Sequence, residues 1–373
     1  MVAQSTTVSR LVSLDVFRGI TIALMVLVNS PGNQTAYPWL AHSAWNGCTL
    51  ADLVFPFFIF IVGVSSVFAL SKRREKGDST RALMITVVRR SLVIFCLGVL
   101  INAVPFHMEF ATLRIYGVLQ RIAICYFFSA WLFLSTRVWT QGVVAVVLLI
   151  AYWLLMTYVP VPGYGVDNLT PAGNLAAYLD RLVFSPAHLY EKIFDPEGLL
   201  STLPAIGTAL LGNLTGVWLL SRKTPQQKMG GMMLAGSLAM AAGWVWGLSF
   251  PINKNLWTSS FVLWTAGLAL LVLAVCYGLI EIKRWRQWSK PCEIFGVNAI
   301  ALYVLHIAVL RVQALIHLPR LDGSPGNLRF FITEHLFGWA SLQTASLLYA
   351  CSYIAFWLLI FSILYRHKIY IRI

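Results

Sequence analysis

The chain has 373 residues, 58% hydrophobic and 11% charged, with 28 Lys and Arg against 14 Asp and Glu for a net charge of +14; an ordinary soluble domain is about 25% charged. A soluble globule cannot hide that apolar share, and a membrane span takes about 20 apolar residues, so roughly ten helical spans with short connections account for it. This excludes a soluble enzyme with one anchor, a secreted disulfide scaffold, a disordered chain and an outer-membrane barrel, whose strands alternate in polarity.

Ten charge-free apolar runs follow one another along the chain: 19–51, 53–71, 91–108, 122–136, 138–166, 198–221, 229–253, 255–280, 294–310 and 336–365. Each is expected to hold one helix. The first is mostly 17–30, because Pro31, Gly32, Asn33, Gln34 and Pro38 break it. The fourth is expected to begin near Gly117, which brings Gln120 and Arg121 into its first turns. The basic residues then divide by side. Arg10, the segment 72–90, Arg137, the trio Arg222, Lys223 and Lys228, the cluster 283–290 and the tail with Arg366, Lys368 and Arg372 place 19 on one side; the opposite loops hold six, Arg114, Arg181, Lys192, Lys254, Arg320 and Arg329. The positive-inside rule makes both termini cytoplasmic and the helix count even. The charge excess is thus a topology signal and calls for no nucleic-acid partner. The expected fold is all-α, a multi-pass integral membrane protein of about ten transmembrane helices in the lipid bilayer.

The first apolar segment carries Asp15 and Arg18 and no small-residue cleavage site, so it is expected to remain in the mature chain. Cys96, Cys125, Cys276, Cys292 and Cys351 lie in or beside helices and Cys48 stands in an outer loop; without paired spacing they support neither a disulfide framework nor a metal site. The longest outer connection, 160–198, is rich in Pro and Gly, with a short helix expected near 174–183. No internal repeat, P-loop, GxSxG elbow, HExxH or dinucleotide fingerprint is present. Residues 1–373 are expected to form a single domain, with 160–198 as an extracytoplasmic loop within it.

Ionisable groups inside spans are costly and mark function by default. In SLDVFRGITIALMVLVN, Asp15 and Arg18 are spaced i, i+3 and can pair, while Asn29 lies about 16 Å further on at the outer end. The next outer segment, AHSAWNGCTLADLVFPFF, contains no Lys or Arg and presents His42, Ser43, Trp45, Asn46, Thr49 and Asp52. Histidine titrates near neutrality and can take a proton from an attacking amine or hydroxyl. Asp52 can either orient such an imidazole or cap its own helix with Thr49. Arg121 lies too deep in the fourth helix to be a topology marker; it points to an anionic group or a carbonyl, or pairs internally with Asp52 or Glu109. Asn298 and His306 lie eight residues apart, close to one face of the ninth helix, where a histidine serves either a ligand or an interhelical hydrogen bond. Asp195, Glu197, Asn253, Lys254 and Asn255 either shape a sugar-sized pocket or cap helices.

The ordered set SLDVFRG, Asn29 and HSAWNGCTLADLVFPFF resembles the transmembrane acyltransferase family of heparan-α-glucosaminide N-acetyltransferase, particularly its shorter bacterial relatives. LRIYGVLQR, DPEGLLSTLPAI, PINKNLW and VNAIALYVLH look like later blocks of that family, so the resemblance covers nearly the whole chain. It implies an enzyme of the bacterial inner membrane that takes acetyl-CoA from the cytosol and acetylates an amino sugar across the membrane, without a metal. By that resemblance His42 and Asn29 are catalytic, a pair that Asp52 joins on the reading of the residues themselves, and Arg10 and Arg18 face the CoA phosphates. Asp15, Gln120, Arg121, Asn298 and His306 are assigned with them to the donor, and Trp45, Asn46, Glu197, Asn253, Lys254 and Asn255 to the acceptor. A homodimer is compatible with the family. Against the lysosomal member of that family, the chain is expected to lack the lumenal domain and leading helix and to have a slightly longer link from Asn29 to His42.

Asn29 can donate a hydrogen bond to the thioester oxygen as it becomes an oxyanion. His42 can deprotonate the incoming amine or accept the acetyl group first, and the sequence leaves both open. The alternative is a secondary transporter, since bacterial relatives have been described as N-acetylglucosamine-related permeases; interrupted helices in matching halves would favour it.

Overall fold

The computed structural model describes residues 10–103 and 109–371. Arg372 of the basic tail and the end of the run 91–108 lie outside the described residues. The fold is helical. In chain order the helices are α1 (Val12–Asn29), α2 (Leu50–Glu75), α3 (Thr80–Ala103), α4 (Val118–Ser135), α5 (Val138–Tyr158), α6 (Leu175–Val183), α7 (Thr202–Leu220), α8 (Pro225–Gly247), α9 (Ser259–Tyr277), α10 (Lys290–Val297), α11 (Ala299–Leu315), α12 (Leu328–Phe337) and α13 (Leu342–Arg366). A two-stranded antiparallel hairpin, β1 (His317–Pro319) with β2 (Pro325–Asn327), precedes α12. Among the described residues nine helices are long and apolar enough to cross a membrane, and a tenth if the bent pair α10 and α11 is one span.

That pair departs from the expectation of one straight helix in 294–310. The axis turns by 72° between α10 and α11, with Asn298 between them outside regular helical geometry (φ −116°, ψ 30°). No proline marks the break. The α6 segment matches the helix expected in the long outer connection, and Asn174 caps it by accepting from the Ala177 amide at 2.8 Å.

The chain divides into two compact units, each with its own packing. Of the described residues, one comprises Arg10, Leu11, Ala44–Gly47 and those within Phe55–Gly278; the other comprises Val12–Ser43, Cys48–Val54 and those from Leu279 onward.

In the first unit α3 packs on α4, α5 on α7 and α8 on α9. α2 and α7 touch backbone to backbone: a Cβ on Gly63 would lie 2.1 Å from the Ala209 carbonyl oxygen, and one on Gly212 would lie 2.2 Å from that of Phe60. Small residues at such crossings allow the dispersion contact that replaces hydrophobic drive in lipid. Asn213 of α7 adds polar bonds, donating to the Ser129 carbonyl at 2.8 Å and to Gln141 Oε1 at 3.1 Å.

In the second unit α1 lies against α10 just as closely. A Cβ on Gly19 would sit 1.7 Å from the Cys292 carbonyl oxygen, and one on Gly296 would sit 1.9 Å from that of Asp15. The Glu281 carboxylate accepts from the Ser13 amide at 3.0 Å, placing a negative charge at the first turn of α1 where the helix dipole favours it. Beyond α1 the chain is tied down: Gly32 N–H donates to Ser346 Oγ, Thr333 Oγ1 donates to the Gly32 carbonyl, Asn33 Nδ2 donates to the Leu342 carbonyl, and Tyr37 Oη bonds Thr344 Oγ1. The segment leading to His42 therefore hangs on α12 and α13.

Candidate active site

The second unit contains Asn29, His42 and Asp52. α1 ends at Asn29, whose side chain is exposed. His42 lies in the segment before α2, and its Nδ1 is 2.8 Å from Oδ1 of Asp52. The two partners differ in environment: the imidazole is about half exposed (51%) and the carboxylate is buried (1%).

Asp52 occupies the third position of α2 and uses its two oxygens separately. Oδ2 accepts from the Ser43 amide (3.1 Å), the Thr49 amide (3.0 Å) and lies 3.1 Å from the Thr49 hydroxyl. This is the back half of a capping box, a side chain in the first helical turn reaching back to the cap amide. Oδ1 is thereby turned to His42. The two roles weighed for Asp52 in the sequence are filled by one residue. A carboxylate on Nδ1 fixes the tautomer and supports positive charge on the ring, leaving Nε2 as the nitrogen for proton transfer.

Four of the residues that the resemblance reading assigns to the donor also lie in this unit. Arg18 donates through Nη1 to Asp15 Oδ1 and to the Gly296 carbonyl, both at 3.2 Å, so the i, i+3 pair forms and also reaches a carbonyl near the end of α10. Asn298 is buried at the bend and accepts from the Ile371 amide at 2.9 Å, while its Nδ2 lacks a partner among the described residues. His306 is fully buried; its Nδ1 bonds the Leu302 carbonyl one turn back, and its Nε2 lacks a partner among the described residues. Of the two arrangements expected of it, the interhelical side-chain hydrogen bond does not form among the described residues.

The first unit holds Arg10, exposed before α1, together with Gln120, Arg121 and the acceptor-side residues. Gln120 is buried against α3, where its Oε1 fills the space a Cβ on Gly98 would take. Arg121 donates through Nη2 to the Gly198 carbonyl (3.0 Å) and the Ser201 hydroxyl, and its guanidinium carbon lies 5.2 Å from the Trp257 ring centre. Its Nε and Nη1 lack hydrogen-bond partners among the described residues. A carbonyl, a hydroxyl and an aromatic face receive this buried cation.

Trp45 donates its indole N–H to the Leu169 carbonyl (2.9 Å) and meets Phe194 edge-on at 5.1 Å. Asn46 accepts from Asn253 Nδ2 at 3.1 Å, and Gly47 N–H donates to the Ile252 carbonyl at 2.7 Å. Asn253 accepts in turn from the Leu256 amide, closing a turn that contains half-buried Lys254 and Asn255. The segments around 45–47, 160–198 and 251–257 are thus physically joined. Glu197 is bound by Arg114, which also grips Asp195 through two bonds (Nε to Oδ2 2.8 Å, Nη2 to Oδ1 2.6 Å). Burial works to lower the Arg114 guanidinium, but the bonds and charges of Asp195 and Glu197 outweigh it and raise it.

Beside this group Asp180 of α6 accepts from the Leu199 amide at 2.8 Å, and a Cβ on Gly198 would lie 1.9 Å from its other oxygen. Burial first, then the charge of Asp195, pushes the Asp180 carboxyl up to about 6. Sequence reading overlooked Asp180, since one acid in a short amphipathic helix looks solvated. Among the described residues no group of three or more His, Cys, Asp or Glu side chains could hold a metal ion.

A family model described as heparan-alpha-glucosaminide N-acetyltransferase, catalytic, matches residues 10–244. The human protein of that name is 32% identical over 358 residues, covering 80% of this chain and 52% of its own length. The mouse protein is 32% identical over 362 residues, covering 80% and 53%. The chain spans about half the length of these curated relatives.

Proposed function

The chain belongs to the heparan-alpha-glucosaminide N-acetyltransferase catalytic family, a family of transmembrane acetyltransferases, and on that premise we propose that it moves an acetyl group from cytosolic acetyl-CoA to the amino group of a glucosamine-type sugar on the extracytoplasmic side. The observation that carries this reading is the His42–Asp52 pair, a half-exposed imidazole backed by a buried carboxylate inside the family-matched region. The family match likewise favours acyl transfer over the permease alternative.

Acetyl-CoA supplies an activated thioester, and the chain's residues do the rest. Arg18 and Arg10 hold the anionic end of the donor by charge-assisted bonds, Arg18 exchanging its contact with the Gly296 carbonyl for a phosphate oxygen. Asp15 keeps Arg18 oriented in that exchange. Gln120, Arg121, Asn298 and His306 are assigned to the donor; each buries a side-chain nitrogen that has no partner among the described residues, which suits a polar ligand group. Asn29 donates to the carbonyl oxygen as negative charge builds there. His42 takes the amine proton through Nε2 as the nitrogen–carbon bond forms and the carbon–sulfur bond breaks; the proton then passes to the departing sulfur. Asp52 acts through His42 and is a positioning residue by this geometry. Trp45, Asn46, Asn253, Lys254, Asn255 and Glu197 shape the acceptor side.

The basic side of the chain, with both termini, is cytoplasmic in this reading, the membrane is a bacterial inner membrane, and the protein works as a monomer or homodimer. The test is direct. Purified protein given acetyl-CoA and glucosamine should release CoA and N-acetylglucosamine in equal amounts by mass spectrometry, and His42→Ala should abolish both. Wild-type turnover by His42→Ala would contradict the assignment.

A further inference from the structure

One hydroxyl serves both ends of the His42–Asp52 pair. Thr49 Oγ1 lies 2.7 Å from the Ala41 carbonyl oxygen and 3.1 Å from Asp52 Oδ2. Ala41 immediately precedes His42 in the chain, so the first contact holds the backbone carrying the imidazole. The second holds the oxygen of Asp52 that does not face the imidazole. A hydroxyl has one proton and two lone pairs, so it donates to one of these acceptors at a time. The Thr49 amide also donates to Asp52 Oδ2 at 3.0 Å, and the Ser43 amide, immediately after His42, does so at 3.1 Å. Oδ2 is thereby surrounded by groups from residues 43 and 49, while Oδ1 faces His42 Nδ1.

We propose that Thr49 is a positioning residue for acetyl transfer, its hydroxyl alternating between the carbonyl before His42 and the far oxygen of Asp52 and so tethering each to residue 49, which keeps Oδ1 turned to the imidazole. A helix cap alone does not need this hydroxyl. The Thr49 and Ser43 amides already satisfy Oδ2, and the Asp52 amide bonds the Thr49 carbonyl at 3.2 Å whatever the side chain. The contact to Ala41 is the part that a cap leaves unexplained.

The inference rests on His42 being the base, and the experiment separates the two. Thr49→Val keeps the shape and removes the hydroxyl; Thr49→Ser keeps the hydroxyl; Thr49→Ala is a second hydroxyl-free variant in case the valine disturbs folding. Each is assayed across pH 5 to 9 beside His42→Ala, with the melting temperature measured on the same preparations. Thr49→Val and Thr49→Ala should lower kcat roughly three- to tenfold, the effect of one lost hydrogen bond. They should also move the acid limb of the kcat/KM profile to lower pH, because a loosened carboxylate supports the imidazolium less. Thr49→Ser should restore both. A lower melting temperature with an unmoved acid limb, or wild-type kinetics in both hydroxyl-free variants, would overturn the proposal while leaving His42 in place. Full activity of His42→Ala would remove the base itself, and the proposal with it.

Discussion

His42 with Asp52 and Arg114 with Asp195 and Glu197 are both pairings of a base with buried acid, yet they are built to opposite ends. In the Arg114 group the cation is mostly covered (21% exposed), both acids are buried, and the guanidinium meets each of them directly. In the His42 group the acid is buried and held by three further contacts, but the base stands half in the open. A group with every bond made inward stabilises a loop. A group with one member anchored and the other presented outward can act on a substrate.

Exchanging one residue from each place tests this contrast. His42→Ala should cut turnover by roughly 10²- to 10⁴-fold, the usual contribution of a positioned general base, with little change in melting temperature. Arg114→Ala should do the reverse. It leaves two buried carboxylates uncompensated and should cost about 3 kcal/mol of stability or more, read as a large fall in melting temperature in detergent. Comparable losses of both properties in both variants would dissolve the distinction.

Asp52 belongs to both kinds, and Asp52→Asn sharpens the comparison. The amide keeps an acceptor for the cap but cannot support the imidazolium, so turnover should fall by about 10²-fold while stability falls by about 1 kcal/mol. Asp180 gives the smallest effect. Its carboxyl is raised to about 6 when folded, so the folded state binds a proton more readily than the unfolded state. Its ionised form therefore costs stability above pH 6, and that cost is relieved as pH falls from about 7 to about 5. Wild-type protein should gain on the order of 1 kcal/mol from this group across that range. Asp180→Asn should flatten the trend in a melting-temperature series. The charged and titratable groups around it, Asp195, Arg121 and Tyr116, remain in both proteins.

Local spacing made part of this legible in the sequence. The Asp15–Arg18 pair follows from i, i+3 geometry, and the start of α4 one residue after Gly117 follows from its apolar run. The Asp52 alternatives were visible too, but not that separate oxygens fill both. The bend at Asn298 was hidden because VNAIALYVLH contains no proline and keeps its helical periodicity through the break. Arg121 was readable as an inward-facing cation, whereas Gly198, Ser201 and Trp257 stand 77 or more residues away and only packing selects them. His306 Nε2 and Asn298 Nδ2 are unpartnered among the described residues, a property of surroundings that sequence pattern does not encode.

Direction across the bilayer tests the central claim most directly. Oriented proteoliposomes carrying the protein receive acetyl-CoA labelled in the acetyl group on the face bearing the basic loops, and glucosamine on the opposite face. The account predicts labelled N-acetylglucosamine on the glucosamine side, matched by free CoA on the donor side and abolished by His42→Ala. Movement of the sugar with no release of CoA would contradict it.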